Sequence, residues 1–250
     1  MKCWICGIEE ASTREHFIKK SDLKDIFGTP TQSSPHYLNA WRPRLENSEK
    51  PTKVKRNEPI RTLRSDELTY DAKLCAQCNN QVTQPHDLAW EKLSKYLRKK
   101  TPPIQVGAKV RFHKVFGNSA HKSMVNVHLF FLKQFAGIIV DESIPISLRE
   151  FSEAILSNKP HPHVSLVFII EHRHAEVVVM RSEVNFCTYE GRSVAVYDYQ
   201  VDRIVVRVVY DTSTEKWTGI AAAYHPSRGI KCVQLVSPEQ ASHVRSTIPL

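Results

Sequence analysis

The sequence predicts an α+β protein in two parts: a zinc-stapled unit over residues 1–103 with a long basic insertion, then an α+β domain with a largely antiparallel sheet over residues 104–250. Three observations predict it. Cys3-Trp-Ile-Cys6-Gly7 and Cys75-Ala-Gln-Cys78-Asn79-Asn80 are two C-x-x-C knuckles, each turning two thiolates toward one point, and four thiolates close a tetrahedral zinc shell. Thr101-Pro102-Pro103 stops a helical pattern and stiffens a short linker. Beyond it, two apolar stretches give way to short β-rich runs separated by turn signals, the pattern of segregated helices and strands.

In the first part, residues 11–20 alternate loosely, with Phe17 and Ile18 as the apolar contacts of a short strand or hairpin arm. Ser21 suits the N-cap of a single helical turn through Leu23 and Ile26, closed by Gly28. Thr13-Arg14-Glu15-His16 therefore lies on extended chain after the first knuckle. Adjacent strand residues point to opposite faces, so Glu15 and His16 suit two separate roles rather than one clamp. The rival reading is a surface Glu and a packed His.

Residues 29–70 carry Pro30, Pro35, Pro43, Pro51 and Pro59 with no sustained period, and read mostly as loop. From Trp41 to Arg64 there are eight Lys or Arg and three Glu. Tyr37 and Trp41 beside Arg42 and Arg44 suit stacking and phosphate contact as well as they suit a solvated surface. The second knuckle then leads into a helix, with Asn79-Asn80 in its first turn and Pro85 marking a break or a fresh start nearby. From Asp87 to Lys99, Trp90, Leu93 and Leu97 share one face while Lys92, Lys95 and Lys99 share another. Residues 92–114 hold eight Lys or Arg and no acid. A lysine face is commonly just solvated, yet Lys92, Lys95, Arg98, Lys99 and Lys100 run out of the candidate site and suit phosphate tracking.

In the second part, Met124–Val140 and Leu148–Leu156 read as buried helices. Strands follow at Val164–Glu171, Glu176–Arg181, Val194–Tyr199, Ile204–Tyr210, Gly219–Tyr224 and Ile230–Val236, with turns at Glu190-Gly191-Arg192 and Asp211-Thr212-Ser213. His161-Pro-His163 and His172-Arg-His174 lack acidic or thiol companions and are weak metal motifs.

Charge narrows the partners. Lys and Arg number 35 against 26 Asp and Glu, a net +9 and a pI near 9.3, which favours nucleic acid first and an anionic surface second. With only eight glycines there is no Walker or dinucleotide loop. The run Val125–Val140 is interrupted by Asn126, His128, Lys133 and Gln134, so a membrane span is not expected. No secretory leader is evident, so the six cysteines suit four zinc thiolates and two buried singles, Cys187 and Cys232, in a cytoplasmic chain.

The blocks C-W-I-C-G, T-R-E-H-F-I-K-K-S and L-C-A-Q-C-N-N, followed by T-Q-P-H-D and W-E-K-L, resemble the HNH (ββα-metal) endonucleases in their four-cysteine form, over about the first hundred residues. The resemblance implies a metal-dependent phosphodiester hydrolase. His16 would be the general base, and Glu15 and Asn79 ligands of Mg²⁺ or another divalent cation. Cys3, Cys6, Cys75 and Cys78 would hold structural Zn²⁺. An imidazole suits proton transfer near neutral pH, and carboxylate and amide oxygens suit Mg²⁺. The orienter of the base is open between Asp71, Asn80 and His86. The spacer between knuckles is longer than the common pattern, and no Asn-Leu pair precedes Leu74-Cys75. The implied substrate is double-stranded DNA, contacted by Arg14, Arg42, Arg44, Lys92, Lys95 and Lys99, in restriction or anti-phage defence, as a homodimer or with a defence-system partner. Two other classes compete: a zinc-ribbon nucleic-acid-binding module without chemistry, which has no need of Glu15-His16, and a protein-interaction scaffold.

Overall fold

The computed structural model describes residues 2–41, 54–171, 179–213 and 222–241. It is α+β, and its strand ladders are antiparallel. Strand β1 (Thr13–His16) is followed by helix α1 (Lys20–Phe27) and by the hairpin of β2 (His36–Trp41) and β3 (Val54–Ile60). Strand β4 (Thr69–Leu74) returns beside β1, and after the second knuckle helix α2 covers Gln84–Lys99. Strand β5 (Lys109–Arg111) and the short helix α3 (Phe112–Phe116) lead to the long helix α4 (Ala120–Glu142) and to α5 (Arg149–Ser157). Then come β6 (Val164–Ile170), β7 (Val179–Arg181), β8 (Asn185–Tyr189), β9 (Arg192–Val201), β10 (Ile204–Asp211) and β11 (Cys232–Gln234).

Helix α4 is the centre of the molecule. Residues Met124 to Ile139 are buried on every side, so the stripe expected of a surface helix is absent. The segment Phe112–Glu142 is long and apolar enough to cross a membrane by length and composition, contrary to the expectation above. With 89% of its most apolar stretch buried, it is the core helix. One side of α4 meets the sheet, ordered β6-β10-β9-β7 with β8 also on β9. Strand alternation sorts that sheet's side chains. Tyr197, Tyr199, Val206, Val208, Leu166 and Phe168 face the core around α4, while Val167, Ile169, Val196, Val205 and Val209 pack against Ala223, Val236 and Ala241. Both faces are covered, which is why β6 and β10 read as unbroken apolar runs. Arg207, the charge inside that run, is paired with Asp198 and donates to the Ala241 carbonyl.

The other side of α4 meets the cysteine-bearing unit. Trp90 of α2 stacks on Phe130 at 5.6 Å and meets Phe131 and Tyr199 edge-on. Gly137 lets α4 approach β4: a Cβ there would lie 3.0 Å from the Tyr70 ring. Tyr70 in turn donates to Gln134, and the Asp141 carboxylate accepts from the Ala72 N–H. The hydrophobic core therefore runs without a gap across the Thr101–Pro103 break.

Several local expectations change. The helix after β1 has two turns and starts at Lys20, so Ser21 lies inside it. The insertion is not all loop, because β2 and β3 form a hairpin. Strand β8 was not foreseen. It joins β9 through Glu190 and Gly191, both at positive φ, which is the geometry of a tight hairpin and matches the turn read there. The β9–β10 turn also went unread, since Asp202 at φ 57 adopts the left-handed form without a glycine to mark it. Cys187 and Cys232 are half-buried rather than buried. Arg42, Arg44, His172, His174 and the first half of the run predicted at Gly219–Tyr224 lie outside the described residues.

Candidate metal centre and hairpin site

The four knuckle cysteines come together. The sulfurs of Cys3, Cys6, Cys75 and Cys78 lie within 4.8 Å of one another, and no disulfide joins them. Cys6 and Cys75 are 3.9 Å apart, close to the roughly 3.8 Å edge of a tetrahedron with zinc–sulfur bonds of about 2.3 Å. Backbone N–H groups point at the sulfurs, as thiolates require. Those of Glu9 and Ile8 draw the Cys6 thiol down to about 7, and the Cys78 N–H donates to Cys75 at 3.3 Å. Gly7, at φ 67, closes the first turn by donating to the Cys3 carbonyl. Burial pushes the Cys3 and Cys78 thiols up, an expense that a bound cation offsets. The four cysteines can hold a metal such as zinc. Among the described residues they are the one group of three or more His, Cys, Asp or Glu ligands gathered this closely.

The clasp sets β1 against β4 and the start of α2. Register slips between the pairs Arg14–Lys73 and His16–Thr69, so β4 carries extra residues there and the end of β1 is re-aimed. His16 is half-buried, and its Nε2–H donates to the Leu63 carbonyl at 2.8 Å. In that tautomer Nδ1 keeps the lone pair. The ring is thus oriented by a backbone group, ahead of the candidates Asp71, Asn80 and His86. Asn80 and Asp71 are exposed on their elements. His86 is buried, and burial with the nearby Lys133 pushes its imidazole down to about 4.

Glu15 points elsewhere. Its carboxylate lies 3.1 Å from the Lys133 ammonium of α4, which is also 2.8 Å from Asp87 and 3.4 Å from the Thr83 hydroxyl. Burial alone would lower the Lys133 pKa, but Glu15 and Asp87 outweigh it and hold the ammonium charged. Asn79 directs its amide nitrogen at the Thr13 hydroxyl, 3.2 Å away, and toward the Arg14 carbonyl at 3.5 Å. Asn79 therefore ties the first turn after the knuckle to β1. A divalent ion about 4 Å from an ammonium is repelled by roughly 8 kcal/mol at an effective dielectric constant of about 20. As arranged, Glu15 does not fit the divalent site expected of it.

The basic surface is partly as expected. Lys92, Lys95, Lys99 and Lys100 are exposed along α2, with Lys99 3.4 Å from Asp25. Arg98 is not part of it: its side chain is 7% exposed and bound to Asp22 and Asp25. Arg14 forms an ion pair with Asp66 at 2.6 Å. Sequence reading missed Asp22 and Lys133. Asp22 is buried and accepts from Trp90, Ser94 and Arg98, joining α1 to α2. The signal for Lys133 was available, since a lone lysine in a run of apolar residues needs a carboxylate partner.

Comparison of the chain with protein-family models, with curated proteins and with solved structures finds no match in any of the three.

Proposed function

We propose that the chain is a phosphodiester hydrolase of the HNH type acting on double-stranded DNA, with His16 as its general base. The observation that carries the reading is His16 itself. It ends strand β1 of the two-stranded β1–β4 sheet, which four cysteines clasp to the following helix, and its Nε2–H is committed to Leu63 while Nδ1 keeps a lone pair. A general base needs a fixed ring and an available lone pair. In this reading Nδ1 takes a proton from the water whose oxygen bonds to phosphorus, the P–O bond to one sugar oxygen breaks, that oxygen takes a proton from solvent, and the exposed lysines of α2 hold the phosphate backbone. Zinc, when bound by the four cysteines, supplies folding energy and no chemistry, because four protein ligands leave it no open position. The divalent cation implied at Glu15 and Asn79 does not fit the arrangement described, and the step above does not run through it. The reading carries with it a cytoplasmic setting and a role in restriction or anti-phage defence.

A second reading, a zinc-clasped nucleic-acid-binding module without chemistry, is favoured by the engagement of Glu15 with Lys133. Nicking of supercoiled plasmid decides between them, run on wild type and His16→Ala with and without EDTA, with zinc content and DNA binding measured alongside. Nicking that falls by about 10²–10⁴-fold in His16→Ala supports the hydrolase. Unchanged nicking in that variant rejects His16 as the base, and DNA binding without nicking leaves the binding module.

A further inference from the structure

Where α4 meets the cysteine-clasped unit, a cation is already present in the form of a side chain. The Lys133 side chain is 1% exposed, and its three N–H donors face three oxygens from separate positions: Glu15 on β1 at 3.1 Å, Asp87 on α2 at 2.8 Å, and Thr83 just before α2 at 3.4 Å. The second Asp87 oxygen lies 3.3 Å from Lys19. Two carboxylates thus face two ammoniums and the charges cancel. The set is also complete as hydrogen bonding, since the Thr83 hydroxyl donates to the Asn79 carbonyl. A Mg²⁺-class ion asks for oxygen ligands at about 2.1 Å with several retained waters. Here both carboxylates are already engaged, and the Lys133 ammonium occupies the place between them that such an ion would take.

We infer that Glu15, Asp87 and Thr83 form a closed cation site whose permanent occupant is the Lys133 ammonium. The folded chain then admits no divalent cation at Glu15, and Glu15 acts as a positioning residue that docks α4 on the hairpin. Removing the amine leaves two carboxylates and a hydroxyl around an enlarged space, which is a donor set for Mn²⁺ or Mg²⁺. The inference does not rest on the nuclease reading, because its readout needs no substrate.

The test is Mn²⁺ binding to the zinc-loaded full chain, followed by the paramagnetic resonance signal of the free ion. Wild type and Glu15→Gln are expected to titrate alike. Lys133→Ala is expected to take up one Mn²⁺ per chain, and Lys133→Ala/Glu15→Gln to lose it again. One Mn²⁺ bound by wild type and lost in Glu15→Gln overturns the inference, as does a folded Lys133→Ala chain that gains no ion. Should Lys133→Ala not fold, the wild-type and Glu15→Gln titrations decide by themselves. Wild-type plasmid nicking that is absent with Mn²⁺ uptake unchanged rejects the hydrolase and leaves this inference standing.

Discussion

At the scale of single residues, the most consequential group is Lys133. It is a full positive charge in the core helix, held by the carboxylates of Glu15 and Asp87 with the Thr83 hydroxyl as a third partner. Removing one member of a buried, hydrogen-bonded charge set leaves the others uncompensated and typically costs about 3–5 kcal/mol. Lys133→Met is therefore expected to lose about that much stability in urea unfolding, and Lys133→Met/Glu15→Gln to recover part of it. Additive losses in that cycle would mean the two groups do not interact. The cysteines give a second residue-scale expectation. Cys75→Ser should lose the metal and unfold the hairpin, rather than reduce activity in an intact chain, because the clasp stands in for a local core. Retained circular dichroism and zinc content would contradict it.

At the scale of elements, α2 presents two faces with different duties. Its inner face buries Trp90, Leu93 and Leu97, and Arg98 belongs with them through Asp22. Its outer face carries Lys92 and Lys95. If that outer face tracks duplex phosphates, replacing these two lysines should flatten the slope of log affinity against log salt by about two, near 0.9 per phosphate. An unchanged slope would assign the face to solvent alone. Helix α4 and strand β4 give a steric counterpart. Gly137→Ala gains helix propensity of about 1 kcal/mol but drives a methyl to 3.0 Å from a fully buried ring anchored to Gln134. Overpacking of this kind costs about 1–3 kcal/mol, so the net expectation is a lower unfolding midpoint. A higher midpoint would show that Tyr70 can yield.

At the scale of the whole molecule, stability should depend steeply on acid. His128, His161 and His225 interlock α4, the loop just before β6 and the segment between β10 and β11. His128 Nε2 accepts from the His161 N–H, His161 Nδ1 accepts from the His163 N–H, and His225 Nδ1 accepts from the Ser227 N–H. Each lone pair already faces a donor, so none can take a proton without breaking a bond. Burial pushes His161 down to about 3 and His128 well below its ordinary value, and it lowers His225 against the pull of the His161 carbonyl. A depressed imidazole pKa means that the unfolded chain binds protons the folded chain refuses. The stability from neutral imidazoles is complete above about pH 6.5 and falls by about 1.4 kcal/mol per pH unit for each such group below it. For His161 the window runs down to about 3, and for His86 to about 4. Asp22, whose carboxyl burial pushes up, works in the opposite sense and only in the carboxylate range. Urea midpoints measured from pH 7.5 to pH 5, with zinc release followed in parallel, should fall with a slope of several protons. His128→Leu should lower that slope by about one, whatever stability it loses at neutral pH.

Local chemistry was legible in the sequence. The spacing of Cys3, Cys6, Cys75 and Cys78 announced a cluster that can hold a metal, because a knuckle is a short-range device whose geometry its own few residues impose. The amphipathic pattern of α2, the largely apolar run of α4 and the strands of the sheet other than β8 were likewise visible, since burial writes its period into the chain. The opposed directions of Glu15 and His16 also followed from strand alternation. What lay beyond the sequence was every partner chosen across a long separation. Leu63 orients His16 through a carbonyl that no side chain advertises, and the shifted β1–β4 register aims the ring at it. Only the packing of α4 against the hairpin brings Lys133 to Glu15, and with it the balance of charge that turns an expected metal ligand into one half of an ion pair. The residue types told which groups could do chemistry, and the tertiary contacts decided which of them were already engaged.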